Sequence, residues 1–213
     1  MPRLRITEIF YSLQGETNSV GIPTVFIRLT GCPLRCQYCD TTYAFQGGNW
    51  MSVEEIFAEV NKYNPSHVTV TGGEPLAQKD CLQLLSLLCD ANFTVSLETS
   101  GALSVAQVDQ RVIKVVDIKT PGSGEMQRNL FDNISHLLPH DQIKFVICDR
   151  QDYEWSKQIM VDYQLEQRCQ ILFSPSYEQL PAHQLADWIL SDQLKVRFQI
   201  QLHKILWGDV RGK

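Results

Sequence analysis

Residues 32–39 read Cys32-Pro33-Leu34-Arg35-Cys36-Gln37-Tyr38-Cys39 and directly follow a strand-like apolar run. This spacing places three thiols on one tight loop. A structural zinc site or a four-cysteine iron–sulfur cluster takes four ligands from the protein, so three thiols leave one coordination position free for a small molecule. The stretch therefore predicts a reaction centre at the end of a strand, and not a structural metal site.

The composition is typical of a soluble globular protein, and the length suits one domain over residues 1–213. The formal net charge is -5, and no long basic tract occurs, which argues against nucleic-acid binding. No apolar run is long enough for a membrane span or a signal core. The seven cysteines have no paired spacings outside the one loop, which predicts reduced thiols and a cytoplasmic protein.

Apolar strand-like runs alternate with amphipathic stretches along the chain. Strands are predicted at Thr24–Thr30, His67–Thr71, Phe93–Glu98, Val112–Lys119, Gln142–Cys148, Gln170–Phe173 and Val196–His203. Helices are predicted from a Ser52 capping box to about Tyr63, over Cys81–Asn92 with Asp80 as cap, over Gln151–Glu166 and over Leu180–Ser191. Repeated β-then-α order predicts an α/β fold, a parallel sheet with helices outside it.

Polar or glycine-rich residues follow five of these strands. They are residues 32–39, 71–75 (Thr-Gly-Gly-Glu-Pro), 98–101 (Glu-Thr-Ser-Gly), 117–121 (Asp-Ile-Lys-Thr-Pro) and 174–175 (Ser-Pro). In parallel α/β sheets and barrels, ligands bind at the carboxyl-terminal edge of the strands. We therefore expect the five segments to surround one site.

Alternation within the first predicted strand indicates which side chain faces this site. Val25, Ile27 and Leu29 share one face and suit packing against helices, which leaves Arg28 on the opposite face. A buried guanidinium requires an anion. The sequence leaves two alternatives for the anion that pairs with Arg28: a substrate carboxylate, or a sheet carboxylate such as Glu98.

In the predicted last strand, polar side chains alternate with apolar ones. The polar set is Arg197, Gln199, Gln201 and His203. Such a face lines a polar cavity, or it belongs to an edge strand whose outer face contacts water. The place of this strand at the end of the series fits either interpretation.

The segment Gly72-Gly73-Glu74 suits a methionine moiety held at the free cluster position. Two glycines allow close backbone approach, and the carboxylate can accept from an ammonium group. Together with the three-cysteine loop and the aromatic Tyr38, this pattern resembles the radical S-adenosylmethionine (SAM) superfamily. Within it, the chain is similar to the 7-carboxy-7-deazaguanine synthases. That similarity covers residues 8–16 (Glu-Ile-Phe-Tyr-Ser-Leu-Gln-Gly-Glu), 26–32, 39–41, 98–101 and 201–204 (Gln-Leu-His-Lys).

The resemblance implies a trimmed, partial parallel β/α barrel and a specific chemistry. A reduced 4Fe–4S cluster donates an electron to SAM, giving methionine and a 5′-deoxyadenosyl radical that removes hydrogen from C6 of 6-carboxy-5,6,7,8-tetrahydropterin. The ring contracts, ammonia leaves, and hydrogen returns from 5′-deoxyadenosine, so SAM is regenerated. The family implies a lyase of queuosine and other 7-deazapurine biosynthesis, a flavodoxin or ferredoxin as electron donor, and a homodimer.

The resemblance also implies roles for individual residues. The cluster ligands are Cys32, Cys36 and Cys39. Contacts with the pterin fall to Leu13, Gln14, Gly15, Glu16, Arg28, Thr99 and His203. Contacts with SAM fall to Tyr38, Asp40, Gly73, Glu74, Gly101, Lys119 and Ser174. Thr41 stands where the family holds Mg²⁺, a hard cation that takes few protein ligands.

Two features depart from the family pattern. Thr17 stands where the family motif Gln-Gly-Glu-Gly has its last glycine, which leaves the geometry of that loop open. The tail at 207–213 receives no role from the resemblance, and neither does Lys213. The remaining cysteines lie on helix or strand patterns and are predicted to be structural: Cys81, Cys89, Cys148 and Cys169.

Two other functions share part of the pattern. A glycyl-radical activating enzyme has the cluster and the Gly-Gly-Glu motif, but it acts on a protein backbone. Such an enzyme needs an open first-strand face, without a rim of Gln14, Glu16 and Arg28. A zinc-binding or electron-carrying module has no need for a polar strand lining.

Overall fold

The computed structural model describes residues 2–213. Its strands are β1 Arg3–Leu13, β2 Pro23–Leu29, β3 Asn49–Ser52, β4 His67–Gly72, β5 Thr94–Thr99, β6 Ile113–Asp117, β7 Gln142–Ile147, β8 Gln170–Pro175 and β9 Arg197–Phe198. Its helices are α1 Val53–Asn61, α2 Cys81–Asp90, α3 Arg150–Asp162, α4 Ala182–Ser191 and α5 Leu202–Trp207. The strands form one sheet in the order β3-β1-β2-β4-β5-β6-β7-β8-β9.

The seven strands in the part of the sheet that runs β2-β4-β5-β6-β7-β8-β9 are parallel to one another, as the alternating pattern predicts. The sheet is open, with β3 and β9 at its two edges, and this is the partial β/α barrel that was expected. The aliphatic face of β2 packs into the core with the helices: Val25, Ile27 and Leu29 are all fully buried. Arg28 therefore lies on the other face, and the inference from alternation is confirmed.

The first strand, β1, is absent from the sequence-based prediction. It pairs antiparallel with β2 and with β3, so the sheet is mixed and not wholly parallel. The register with β2 shifts between Ile6 and Glu8. Leu4 and Ile6 are buried in the core, whereas Phe10, of the same parity, lines the cavity described below. A β-bulge inverts the period-2 pattern at this point, which hides the strand from an alternation argument.

The helices are short, and their starts were predicted with mixed success. At α1 the Ser52 hydroxyl accepts from the Glu55 N–H (3.1 Å) while the Glu55 carboxylate accepts from the Ser52 N–H (2.7 Å), so the capping box is confirmed. Asp80 does not cap α2; its carboxylate accepts from the Arg3 N–H of β1 at 2.8 Å. The longest helix has 13 residues, and none within residues 2–213 combines the length and apolarity needed to cross a bilayer.

The predicted last strand, Val196–His203, is mostly wrong. Only Arg197 and Phe198 pair with β8, at the edge of the sheet, and Arg197 is exposed there. The chain then leaves the sheet because the Leu202 N–H donates to the Gly15 carbonyl (3.0 Å), and α5 begins. Gln201, the residue just before α5, and His203, in the first turn of α5, both line the cavity described below.

Candidate active site

A cavity of about 330 Å³ lies at the carboxyl-terminal edge of the parallel strands. All five segments that follow strands contribute to its wall, as expected for a site at this edge. The wall includes most of the predicted site residues: Leu13, Gln14, Gly15, Glu16, Arg28, Cys32, Cys36, Tyr38, Cys39, Asp40, Thr41, Gly73, Thr99, Lys119, Ser174 and His203. Glu74 and Gly101 are not among the residues of this wall.

The cysteine loop is held by backbone hydrogen bonds on two sides. At its start, the Gly31 carbonyl accepts from the Glu74 N–H at 2.7 Å. Further along, the Gln37 N–H donates to the Ser123 carbonyl at 3.0 Å. The Leu34 side chain is buried and anchors the loop in the protein. The thiols of the loop are thereby fixed relative to the ends of β2, β4 and β6.

The three thiols of this loop suit a multinuclear cluster. Each of Cys32, Cys36 and Cys39 is a partly exposed free thiol on the cavity wall. Burial raises the pKa of Cys36 to about 11 and also raises the pKa of the other two thiols. A bound metal ion favours the thiolate form of such groups. Within residues 2–213, no three His, Cys, Asp or Glu side chains converge as a single metal ion requires. Three thiolates would bind three irons of a cube and leave the fourth iron open, which fits the cluster that the spacing predicts.

Gly73, the residue after β4, touches the backbone at the start of the cysteine loop. A Cβ atom at Gly73 would lie 2.0 Å from the Gly31 carbonyl oxygen, so any larger residue would displace the loop. The carboxylate of Glu74 points into the protein. It is fully buried and accepts from the Thr99 hydroxyl (2.9 Å) and the Ser100 N–H (2.7 Å). The side chain predicted to face the ammonium group of SAM thus ties the end of β4 to the end of β5.

Gly101 also lies behind the wall in this structure. It is buried with a φ of +74°, and its carbonyl accepts from the Leu130 N–H at 3.0 Å. The left-handed conformation explains why glycine is found here. Gly101 therefore shapes the turn that follows β5. Thr99, the last residue of β5, and Ser100, the first residue after it, lie on the cavity wall.

One end of the cavity offers polar atoms without partners. The Lys119 ammonium donates to Asp117 Oδ2 at 2.8 Å and lies 5.9 Å from the centre of the Tyr38 ring. Asp117 Oδ1 and the Tyr38 hydroxyl are buried and have no hydrogen-bond partner within residues 2–213. Buried polar atoms are nearly always paired, so these two atoms fit a bound polar ligand beside the cysteine loop.

Arg28, also on the cavity wall, is paired with a carboxylate of β1. Its Nε donates to Glu8 Oε1 at 2.7 Å, and the Tyr43 hydroxyl donates to the same oxygen at 2.8 Å. The sheet partner is therefore Glu8 and not Glu98. Because Glu8 occupies Nε, the terminal nitrogens of the guanidinium remain for a second anion in the cavity.

The Glu16 carboxylate lies at the centre of a second polar cluster. It accepts from Lys144 Nζ (2.9 Å), Gln201 Nε2 (3.1 Å) and Gln199 Nε2 (3.3 Å). Burial tends to raise the pKa of Glu16, but Lys144 and Gln201 together bring it below the ordinary value. Glu16 is therefore ionised near neutral pH.

Lys144 is a functional side chain that the sequence reasoning missed. It lies on β7, where the alternate residues Ile143 and Phe145 are fully buried in the core. The parity argument that found Arg28 on β2 finds Lys144 on β7 equally well. The signal was present in the sequence, but it was not applied to that strand.

Glu98 also lies on the cavity wall, but its pKa is displaced in the direction opposite to that of Glu16. Its oxygens accept from Gln14 Nε2 (3.2 Å) and from the Thr71 hydroxyl (3.2 Å). Burial, and then the nearby charge of Glu16, raise the pKa of this carboxyl. Two carboxyl groups in one cavity with pKa values displaced in opposite directions are typical of a catalytic or binding site.

Gly15 and His203 are in direct contact. A Cβ atom at Gly15 would lie 2.3 Å from His203 Nδ1, so only glycine allows the imidazole to pack on this loop. Burial lowers the pKa of His203, which favours the neutral ring at pH 7. At the departure from the family motif, Thr17 adopts a φ of +68° and its N–H donates to Gln199 (2.8 Å). The threonine thus keeps the left-handed turn, at a cost of about 1–2 kcal/mol.

The rim of the cavity carries oxygen ligands and the end of the tail. The Thr41 hydroxyl donates to Asp40 at 2.7 Å, and Gln201 donates to the other oxygen of that carboxylate at 3.2 Å. Lys213 lies on the wall, and the Arg211 guanidinium lies 4.1 Å from the centre of the Tyr43 ring. The tail therefore returns to the site, which its sequence did not indicate.

Comparison with known proteins agrees with this architecture. The sequence profile of the Radical SAM superfamily matches residues 26–116. The 7-carboxy-7-deazaguanine synthase of Koribacter versatilis is 43% identical over 219 residues, covering 96% of this chain and 97% of the relative. That of Chlorobaculum tepidum is 45% identical over 213 residues, covering 98% and 97%. The structure of QueE from Escherichia coli superposes with a TM-score of 0.78 at 24% identity, covering 94% of this chain and 95% of that one, which supports the fold. The chain belongs to the 7-carboxy-7-deazaguanine synthase family of the radical SAM superfamily.

Proposed function

We propose that this protein converts 6-carboxy-5,6,7,8-tetrahydropterin to 7-carboxy-7-deazaguanine, with loss of ammonia and with SAM used catalytically. The activity is that of the relatives that match almost the whole chain. The observation that supports it most directly is the shared cavity, whose wall carries the three-thiol loop together with Glu16 and Arg28. A radical generated at the loop could act there on a small anionic heterocycle without crossing solvent.

Membership of the superfamily implies a 4Fe–4S cluster and SAM. When bound, these groups supply one electron and a hydrogen-abstracting adenosyl radical, and the protein supplies orientation and electrostatics. Cys32, Cys36 and Cys39 would hold the cluster. The backbone at Gly73 and the unpaired atoms of Asp117 and Tyr38 would hold SAM, with Lys119, Asp40 and Ser174 beside them. Glu74 and Gly101 would act by shaping these loops.

The pterin would lie between Arg28 and Glu16. The free terminal nitrogens of Arg28 suit the substrate carboxylate, since a guanidinium pairs with carboxylate oxygens in a bidentate manner. The ionised Glu16 suits the N–H donors of the pyrimidine ring. Gln14 and Thr99 lie on the same wall, with the backbone of Leu13 and Gly15, and His203 of α5 contacts Gly15 there. These contacts would hold C6 in place while the ring contracts.

We also propose a Mg²⁺ ion at the rim. The Thr41 hydroxyl and the adjacent Asp40 carboxylate are hard oxygen donors, and Mg²⁺ is commonly bound by one or two such groups plus substrate and water. A flavodoxin or ferredoxin is the proposed electron donor, and the active form would be a homodimer. All seven cysteines are free thiols, which suits a reducing cytoplasm.

The substrate assay tests the whole proposal. Anaerobically reconstituted protein with reductant, SAM, Mg²⁺ and carboxytetrahydropterin should form the carboxydeazaguanine, detected by mass spectrometry, while SAM is not consumed. Omission of Mg²⁺ should slow the reaction, and Arg28→Met should raise the KM for the pterin. Stoichiometric release of 5′-deoxyadenosine without that product would exclude the proposal. A glycyl-radical activating enzyme would instead need a polypeptide substrate, and the rim of Gln14, Glu16 and Arg28 disfavours it.

The contact between Gly15 and His203 gives a further prediction. Gly15→Ala should lower kcat/KM for the pterin about 10- to 100-fold, because the new methyl group displaces the imidazole from the substrate loop. The free energy of unfolding should change little, since the displaced ring lies at an open cavity. Steady-state kinetics measure the effect. In a His203→Ala background the same change should have almost no further effect; a full additional loss there would show that Gly15 acts on the backbone and not through His203.

A further inference from the structure

Lys144 lies on the cavity wall between two carboxylates. Its ammonium lies 2.9 Å from a Glu16 oxygen and 3.8 Å from Asp117 Oδ2, which is itself paired with Lys119. The side chain is only 15% exposed, so water screens these interactions poorly. The distances favour Glu16 as the partner of Lys144, because Asp117 already has a closer cation.

The surroundings of Glu16 require such a cation. The charged and titratable groups around it are Lys144 of β7, His203 of α5 and Glu98 of β5, together with Asp117 at the end of β6, which shares Lys144 with it, and Asp40 on the rim, which shares Gln201 with it. Three of these five are carboxyl groups, and the imidazole is favoured in its neutral form. Without Lys144, the Glu16 carboxylate would keep only the amides of Gln199 and Gln201 as hydrogen-bond donors.

We propose that Lys144 is a positioning residue for substrate recognition: it holds Glu16 as an anion, aimed into the cavity, so that the carboxylate accepts two N–H groups of a 2-amino-4-oxo-pyrimidine ring. This proposal rests on the proposed function. It extends that function by naming the part of the substrate that Glu16 recognises, the pyrimidine ring, and the residue that makes this recognition possible, Lys144. A carboxylate with both oxygens available pairs well with two adjacent N–H donors.

The expected ligand selectivity follows from donor and acceptor counts. A 2-amino-4-oxo ring offers two adjacent N–H donors to an ionised carboxylate, at N3 and at the 2-amino group. A neutral carboxylic acid has an O–H donor in place of one acceptor. It can therefore accept from only one of the two N–H groups, through its carbonyl oxygen, while its O–H faces the other N–H donor. Loss of the charge on Glu16 should therefore weaken binding most where two N–H groups are presented together.

The pH dependence has a definite sign. In the intact protein the pKa of Glu16 is below its ordinary value, so ligand binding should be insensitive to this group between pH 6 and 8. Without Lys144, burial is opposed only by weaker interactions, and the pKa of Glu16 rises. Binding should then be lost as pH falls, with the acid limb displaced toward neutral pH.

The experiment uses a ligand that does not react. Pterin-6-carboxylic acid is an oxidised, fluorescent analogue of the proposed substrate, and its Kd can be measured in the reconstituted protein with SAM from pH 5.5 to 7, below the pH at which N3–H of the free pterin ionises. Lys144→Met should weaken its binding about tenfold or more at pH 7 and make it weaken further as pH falls. Lys144→Arg should restore most of the affinity and the flat profile. Lys157→Met, on the outer surface of α3, is the matched control and should change neither.

A double-substitution cycle identifies the path of the effect. In a Glu16→Gln background, Lys144→Met should cause at most about a twofold further loss, since there is no charge left to hold. A full independent loss in that background, or a Lys144→Met protein that binds with the affinity and flat pH profile of the parent, would overturn the proposal. Failure of the parent protein to bind the pterin acid at any pH would instead overturn the proposed function, and this inference with it.

Discussion

Serine at Cys36 should abolish product formation and leave the reconstituted protein with almost no iron or acid-labile sulfide. A serine hydroxyl is a much poorer iron ligand than a thiolate. Because the loop supplies only three thiols, the loss of one leaves the cluster with two protein ligands. The expected readouts are iron and sulfide analysis, the EPR spectrum of the reduced protein, and turnover of the carboxytetrahydropterin. Cys32→Ser and Cys39→Ser should behave in the same way.

Cys169→Ser provides the matched control. Cys169 is also a partly exposed free thiol, but it precedes β8 and is not on the cavity wall. Its replacement should keep the full iron content and change turnover by no more than about twofold. A Cys36→Ser protein with a complete cluster and normal turnover would mean that another side chain completes the cluster, and the three-thiol account would have to be abandoned.

Alanine at Asp141 should lower the free energy of unfolding by about 3–5 kcal/mol, because it leaves a buried lysine without its counter-ion. The two side chains of this pair are 0% and 2% exposed, and Lys114 Nζ lies 2.8 Å from Asp141 Oδ2. Asp141 also accepts from the backbone N–H groups of Lys114 and Leu138, both at 2.7 Å. Chemical denaturation of the metal-free protein, followed by far-ultraviolet circular dichroism, measures the change.

Two comparisons test whether the buried charge causes this loss. Lys114→Met together with Asp141→Ala should be less destabilising than Asp141→Ala alone, since no unpaired charge remains in the core. The exposed pair of Arg150 and Glu154 gives the matched surface case: Glu154→Ala should cost less than about 1 kcal/mol. Equal losses from Asp141→Ala and Glu154→Ala would show that burial does not determine the strength of the first pair.

Local patterns could predict a large part of the site. The cysteine spacing needs only eight consecutive residues, and the parity of Val25, Ile27 and Leu29 needs only one strand, so both can be read without the fold. The placement of five polar segments around one cavity follows from parallel strands, whose ends meet at one edge. The same parity argument was available for Lys144.

Other features depend on contacts between distant residues. The bulge between Ile6 and Glu8 inverts the alternation in β1, so the strand and the partner of Arg28 were both missed. The hydrogen bond from Leu202 to Gly15 turns the chain out of the sheet, although the local pattern favours a strand. Neither event leaves a signal in the few residues around it, because the competing partner is far away in sequence.

Local sequence is enough to predict three features: the three-thiol loop, the α/β order of the chain and the face on which Arg28 lies. Each depends on near neighbours or on the fixed periodicity of a strand. Four other features depend on tertiary contacts: Glu8 pairs with Arg28, Lys144 donates to Glu16, Glu74 points into the protein, and Lys213 reaches the cavity wall. These outcomes depend on which side chains come within a few ångströms of each other, and a buried ion pair forms only when the folded chain brings both partners out of water together.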